Sequence, residues 1–477
     1  MEYEAVIGME VHVQLDTKSK VFTPVSTNFH SPPNTNVDPV TLGLPGTLPV
    51  INRKAVEYSV LVGLALHCSI SRWSKMDRKN YFYPDLPKNY QISQYDLPLC
   101  FDGYLDIELD GHTKRIGITR AHLEEDTGSN THTIGRSESG VDFNRAGVPL
   151  LEIVTEPDIR SAEEAFAYLT SLKQILQYLG VSDCNMEEGS LRAEANISVR
   201  PKGASAFGTK TEVKNVASFS GTQKAIEYEV ARQVKVIESG GTLVQETRGW
   251  DADKGITFSQ RSKESAHDYR YFPDPDLLPI VIDEAWEKRL RDSLPEMPLA
   301  RKQRFESDYG LSAYDAHVLT LTRAMAEYYE EVVAAGADPK KAANWIMGDL
   351  QALLTEAKAE LAECRVAPDR LAAMIALIED GTISGKIAKE VLGEMFLTGK
   401  TPKAVVEEKG LVQITDTSEI ERVVRELMAA HPDQVEQFRA GKDRVLGFFV
   451  GQAMRATQGK ANPALLNEIL RRELTKD

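Results

Sequence analysis

The sequence predicts an α+β chain, with an N-terminal antiparallel sheet that keeps one polar, acid-bearing face open, followed by all-helical domains. Three observations carry this. Residues 5–15 alternate strictly between apolar and polar, and residues 191–200 repeat the pattern, which is the period of a strand with one buried face. Beyond Asp283 alanine, glutamate and leucine dominate, with apolar residues at helical spacing through 312–334, 339–363 and 367–379. At 477 residues the chain exceeds what one core fills, so several domains are expected. The expected domains are 1–293, 294–405 and 406–477, with Pro295 and Pro298 marking the first junction and Gly399-Lys400-Thr401-Pro402 a linker.

In the first strand Ala5, Ile7, Met9, Val11, Val13 and Leu15 face one way. Glu10, His12 and Gln14 face the other at ~6.8 Å intervals, where they could hold a metal. Residues 22–52, rich in Pro, Asn and Thr, read as loop before a helix that begins near Arg53. The stretch 76–95, dense in Tyr, Pro and Asn and carrying Arg78, Lys79 and Lys88, reads as a long structured binding loop. Leu105, Ile107 and Leu109 alternate with acids up to a turn at Asp110-Gly111, the mark of a hairpin.

That hairpin delivers the chain into Glu124, Glu125 and Asp126, three adjacent carboxylates that repel unless a cation sits among them. A solvated turn and a hard-metal site both fit such a triplet. A turn with Asp142, Asn144 and Arg145 then leads to an apolar strand over 150–154, inside which Glu152 calls for a partner. Ser161 and Glu164 open a helix that Gly180 closes. The second alternating strand offers Glu194 between Arg192 and Asn196, residues 211–216 add Glu212 and Lys214, and a helix follows from about Gly221 to Ser239.

Several function classes lack support. No apolar run reaches the roughly 18 residues that span a bilayer, and the start Met-Glu-Tyr-Glu lacks a basic signal region, so a cytoplasmic chain without membrane contact is expected. Cys68, Cys100, Cys184 and Cys364 form no CxxC pair. Gly399-Lys400-Thr401 is not a phosphate loop, because Glu394 stands where the first glycine belongs, and neither GxSxG nor HExxH occurs. The net charge of −15 argues against a nucleic-acid partner, but residues 385–477 hold 15 basic against 14 acidic residues. Within that tail Arg439, Lys442, Arg444, Arg455, Lys460, Arg471 and Arg472 meet only Asp443 and Glu468 between 438 and 472. What remains is carboxylates, one histidine and nearby Lys and Arg on an open sheet. That set suits Mg²⁺ with substrate phosphate, and hence phosphoryl transfer.

The segments GMEVHVQL (8–15), DRKNYFYPDLPKNYQISQYD (77–96), HLEEDTG (122–128), VDFNRAGVPLLEIVTEPD (141–158), EANISVRP (194–201), TEVKNVASF (211–219) and DYRYFPDPDL (268–277) resemble the B subunit of the tRNA-dependent amidotransferases, the GatB family. GKANP at 459–463 resembles that family's helical tail. The resemblance implies a glutamine-synthetase-like cradle over 1–293, a helical domain and a tail whose basic patch meets tRNA. It implies an ATP-dependent carbon–nitrogen ligase that phosphorylates the side-chain carboxylate of Glu-tRNA(Gln), Asp-tRNA(Asn) or both. Ammonia channelled from the amidase, the A subunit, then displaces the phosphate, and a heterotrimer is made up by the small C subunit. By position the resemblance draws the magnesium ligands from Glu10, His12, Glu124, Glu125 and Glu194, although family members commonly carry Asp at the last. It gives Glu124, Glu125, Lys79 and Lys88 catalytic roles, the lysines at ATP phosphate or where ammonia arrives. Arg192, Glu152, Glu212, Lys214, Arg270 and Tyr271 are expected to support the cofactor site. The family's zinc cysteines are missing: Thr23, Val25, Asp38 and Thr41 stand in the CxC and CxxC stretches, so no zinc is expected and packing and prolines should hold the loop. Two alternatives stay open, a non-catalytic tRNA-docking scaffold and a free-standing small-molecule ligase.

Overall fold

A computed structural model describes residues 2–132, 138–262, 268–411, 417–457 and 460–476. The chain forms two compact units, Met1–Met297 and Pro298–Asp477.

The first unit contains, in order, β1 (Tyr3–Gln14), α1 (Arg53–Ala65), β2 (Ser69–Ile70), β3 (Trp73–Ser74), β4 (Asp77–Asn80), β5 (Tyr90–Ser93), β6 (Cys100–Leu109), β7 (His112–Glu125), β8 (Ser129–His132), β9 (Ser139–Asp142), β10 (Pro149–Thr155), α2 (Ala162–Leu179), β11 (Leu191–Pro201), β12 (Thr211–Lys214), α3 (Phe219–Glu238), β13 (Glu246–Asp251), β14 (Ile256–Ser262), β15 (Phe272–Pro273), β16 (Ile280–Val281) and α4 (Glu284–Asp292). Nine strands make one sheet in the order β14-β13-β12-β11-β1-β10-β7-β6-β2. The alternation in β1 has its expected effect: Ile7, Met9, Val11 and Val13 are buried in a core that includes residues of α1, α2 and α3, while Glu10, His12 and Gln14 take the opposite face. Helix α1 packs on β6 and β7, α2 on β6 and α3 on β11, so the helices cover the apolar face. The polar face, expected to be open, is covered at its β7 end by β5, which buries His122 and Glu124. Ser161 caps α2 by accepting from the Glu164 N–H at 3.2 Å, and Gly180 ends it with φ 64°.

Two expectations change here. The sheet is mixed, because β12 and β13 run parallel, and α3 between them supplies the crossover that parallel neighbours require. The stretch 76–95 is not one long loop. It contains the antiparallel pair β4 and β5, which β15 extends to three strands.

The second unit is helical: α5 (Pro298–Tyr309), α6 (Ala313–Leu319), α7 (Arg323–Ala334), α8 (Pro339–Trp345) running through a π turn (Ile346–Leu350) into α9 (Gln351–Ala357), α10 (Pro368–Glu379), α11 (Gly385–Thr398), α12 (Pro402–Lys409), α13 (Thr417–Ala430), α14 (Pro432–Arg439), α15 (Val445–Ala456) and α16 (Pro463–Leu474). One core draws on Phe305, Tyr329, Ile346, Met395, Val405 and Val406, and another on Ile420, Phe449, Leu466 and Leu470. Gly399-Lys400-Thr401-Pro402 is therefore a tight helix corner within the first of these cores rather than a linker. Gly399 closes α11 in the left-handed region and the Thr401 hydroxyl caps α12. Gly459 of the GKANP segment lies outside the described residues, and Asn462 caps α16. Among the described residues no helix is long and apolar enough to cross a membrane.

Candidate metal and phosphate site

Strand register assembles the site. On β1, Glu10 stands opposite Glu194 of β11, and His12 opposite both Arg192 of β11 and Glu152 of β10. Glu152 in turn faces His122 of β7, and Asn196 of β11 faces Glu212 of β12. Residues opposite one another share a face ~5 Å apart, so five strands project onto one polar surface. Two acid clusters result, His12 with Glu124 and Glu152, and Glu10 with Glu194 and Glu212, the ligand atoms of each lying within 4.8 Å of one another.

In the first cluster His12 Nε2 lies 3.7 Å from Glu124 Oε1 and 3.7 Å from Glu152 Oε2. The Ser93 hydroxyl donates to Glu124 Oε2 at 3.2 Å. Buried His122 sets its Nε2 3.2 Å from Glu152 Oε2 and 3.8 Å from Glu124 Oε2. Burial works against a charge on this ring, but Glu152 and Glu124 outweigh it and push its pKa up to about 9. Burial likewise opposes ionisation of Glu152, yet His122, His12 and Lys79 hold it well below the usual carboxylate range.

The second cluster is bordered by Lys214, whose ammonium lies 2.6 Å from Glu194 Oε2 and 3.2 Å from Glu212 Oε1. Burial disfavours the ammonium, but those two carboxylates hold its pKa above the ordinary lysine value. Glu10 accepts from Asn196 Nδ2 at 2.8 Å, and burial together with the Glu152 and Glu194 charges raises its pKa. A carboxyl raised by like charges is one that a cation would relieve, and His12 Nδ1 and Asn196 Oδ1 are buried without a hydrogen-bond partner. Oxygen-rich clusters of this kind fit a hard divalent ion. A cavity of about 430 Å³ adjoins Glu10, lined in part by Gly8, Asn196, Ser198, Phe207 and Lys210.

The five expected metal ligands thus divide. Glu10 and Glu194 lie in one cluster, His12 and Glu124 in the other, and Glu125 lies in neither. The acidic triplet spans a strand end, so its side chains part and each finds its own partners. Glu124 meets the two histidines, Asp126 meets Arg192 at 3.1 Å, and Glu125 pairs with Lys88, at 2.6 Å for Oε2. Asp126 also accepts from Gln14 at 2.8 Å, and despite its burial Arg192 and Arg145 keep its pKa low. Glu125 further accepts from the Ile92 N–H at 2.8 Å, and with Lys88 it lines a separate cavity of about 220 Å³ that Thr23, Thr41, Arg78 and Gly147 help to enclose. Beside Glu125, fully buried Lys20 donates to the Asn36 carbonyl at 2.6 Å, and burial pulls its pKa down to about 8.

Lys79 lies 4.9 Å from the Tyr269 ring centroid, and although burial opposes its charge, Glu124, Tyr271 and Glu152 hold its pKa high. Tyr271 stacks on Tyr95, and burial pushes its phenol up to about 12. Arg270 is exposed with φ 46°, and its carbonyl accepts from Asn80 Nδ2 at 2.7 Å. In the 22–52 loop Asp38 is the staple, accepting from the Thr23 hydroxyl and, at 2.7 Å, from the Thr41 N–H. Sequence reasoning missed His122 and Ser93, and placed Asn196 on the face of Glu194 without a role. For His122 the signal was present, since 122 and 124 share a strand face.

Residues 5–288 match the family model described as the GatB/GatE catalytic domain, and residues 327–474 match the one described as the GatB domain. The chain belongs to the GatB family. Its relatives in that family include the B subunit of an aspartyl/glutamyl-tRNA(Asn/Gln) amidotransferase of Carboxydothermus hydrogenoformans, 57% identical over 100% of this chain and 99% of the relative. One of the same description from Geobacter sulfurreducens is 59% identical over 99% of this chain and 100% of the relative. A third, from Caldanaerobacter subterraneus, is 57% identical over 100% of both.

Proposed function

We propose that this chain is the carboxylate-activating subunit of a glutamine-dependent tRNA amidotransferase. It uses ATP to phosphorylate the side chain of Glu-tRNA(Gln), Asp-tRNA(Asn) or both, and amidation by ammonia then gives Gln-tRNA(Gln) or Asn-tRNA(Asn). The supporting observation is the pair of acid clusters set two residues apart on β1, through Glu10 and His12. His12, Glu124 and Glu152 would hold one Mg²⁺, and Glu10, Glu194 and Glu212 another. When bound, magnesium neutralises the phosphate oxygens of ATP.

The chain's own groups do the rest. The cavity beside Glu10 receives the nucleotide, with Lys210 at its wall and Lys214 facing the acids. Among the described residues no carboxylate ion-pairs with Lys79, so its ammonium is available to orient the carboxylate being activated. Asp126 locks Arg192 in place opposite His12. Lys88 and Glu125 form polar lining where ammonia arrives, and Arg270 and Tyr271 border the entrance for the acceptor end. The partners are the amidase (the A subunit), the small C subunit, and the tRNA, which the basic tail residues Arg439 to Arg472 contact through its backbone. The complex works in the cytoplasm without zinc.

The test is to coexpress the chain with its amidase and small-subunit partners and supply ATP, Mg²⁺ and glutamine with Glu-tRNA(Gln) and Asp-tRNA(Asn) separately. Amide on either tRNA supports the reading and fixes the substrate. No amide on either, from an intact complex with tRNA bound, overturns it in favour of a docking scaffold.

A further inference from the structure

An aromatic stack that begins beside Lys79 ends in solvent at Tyr95. Tyr269 lies under the Lys79 ammonium and meets Tyr271 edge-on, with centroids 6.1 Å apart. Tyr271 lies face to face with Tyr95, with centroids 4.3 Å and planes 11° apart. Tyr95 is 54% exposed, so the stack stops at a ring open to water, where a further planar ring would continue it.

Tyr95 is held at its backbone rather than by its ring. Its N–H donates to Asp77 Oδ2 at 3.1 Å, and its carbonyl accepts from the Arg120 guanidinium at 3.1 Å. Two residues earlier, the Ser93 hydroxyl bonds Glu124 of the first acid cluster. Arg120, on the same strand as His122 and Glu124, also brings its positive charge to bear on the Tyr271 hydroxyl. The platform is thus rigid, aromatic, beside a cation and tied to the reacting centre, the combination that captures an unpaired base followed by its phosphate.

We propose that Tyr95 and Tyr271 are the stacking platform for the terminal adenosine of the acceptor strand. This rests on the function proposed above and adds a subsite to it. The direction of approach favours the acceptor strand over the nucleotide. The cavity beside Glu10 is built on β1, β10, β11 and the 207–210 segment, whereas Tyr95 is anchored to β7 through Arg120. A nucleotide in the cavity and an acceptor strand on the platform reach the acid clusters from two sides, as phosphoryl transfer between them requires.

The test is equilibrium binding of fluorescently labelled, uncharged tRNA, with and without its terminal adenosine, to the complex containing the full chain. Tyr95→Ala weakens intact tRNA about tenfold, loss of the adenosine weakens the unmodified complex equally, and the two combined weaken it no further. Tyr95→Phe keeps the ring and binds as the unmodified complex does, and the affinity for mant-ATP is the same in all. Additive losses, or no loss with Tyr95→Ala while amidation proceeds, overturn the platform alone. Loss of mant-ATP binding overturns it by giving the platform to the nucleotide base. If the unmodified complex neither binds tRNA nor forms amide, the proposed function falls and the platform with it.

Discussion

Replacing Glu229 of α3 by alanine isolates one buried charge network. Glu229 is fully buried. It accepts from Arg232 at 2.9 and 2.6 Å, from Gln233 at 2.9 Å and from the Thr257 hydroxyl at 2.9 Å, with Arg248 Nε 3.6 Å away. Gln233 also bonds the Ile197 carbonyl at 3.1 Å, so this carboxylate joins α3 to β11, β13 and β14, and β11 and β13 flank the strand of Glu212 and Lys214. Deleting it takes both carboxylate oxygens from Arg232, leaving it only Glu246 at 3.9 Å, and one acceptor each from Gln233 and Thr257, while Arg248 keeps Glu246 at 2.7 Å. Breaking a buried pair from one side costs about 3–5 kcal/mol. At roughly 2–4 °C per kcal/mol for a unit of this size, the melting temperature should fall by about 6–20 °C. Burial opposes ionisation of Glu229, but Arg232, Gln233 and Thr257 outweigh it and lower its pKa. Its contribution is therefore complete above the ordinary carboxylate pKa and lost as pH falls through the depressed native value. Thermal unfolding of the wild-type and Glu229→Ala chains across pH measures this. Curves that differ by less than about 1 °C at pH 7, or a difference that grows on acidification, would refute the reasoning.

Further outcomes follow from the site. Glu124→Gln should lower glutamine-dependent amidation by roughly two orders of magnitude or more, while glutamine hydrolysis by the amidase persists; paired amide and glutaminase assays check it. Lys88→Met should depress glutamine-dependent amidation more than amidation supplied with free ammonium, a ratio that steady-state rates report. Gly147 has φ 85°, and an added Cβ would lie 3.3 Å from the Lys20 side chain. Gly147→Ala should thus cost about 1–3 kcal/mol in denaturant unfolding. Lys20→Met removes a buried ammonium and should raise the melting temperature at pH 7. Burial lowers the Lys20 pKa to about 8 from 10.5, so the wild type bears the full penalty below pH 8 and sheds it as pH rises towards 10.5. The gain in Lys20→Met should shrink over that interval.

The legible parts of this fold were those where one periodicity dominates. The strands β1 and β11 bury one face and half-bury the other, so their alternation survives in the sequence, and the caps Ser161 and Gly180 punctuate α2. The pair β4 and β5 was hidden because Asp77-Arg78-Lys79-Asn80 has no apolar alternation and tyrosines and prolines surround it. Residues of β13 and β14, at one edge of the sheet, likewise show no clean apolar period. At the site, alternation alone set Glu10 with His12, but it could not join them to Glu152, Glu194 or His122, because register between distant strands is fixed by the whole sheet. Glu152 in its apolar strand signalled that a partner exists; only the pairing of β10 with β7 identifies that partner as His122.

Counting divalent ions most directly tests the claim that the two acid clusters are metal sites. Titration of the full chain with Mn²⁺, read by electron paramagnetic resonance, should find two sites. Glu10→Gln should weaken one and leave the other, and Glu124→Gln should do the reverse. A single site, none, or a stoichiometry that neither substitution alters would contradict the account.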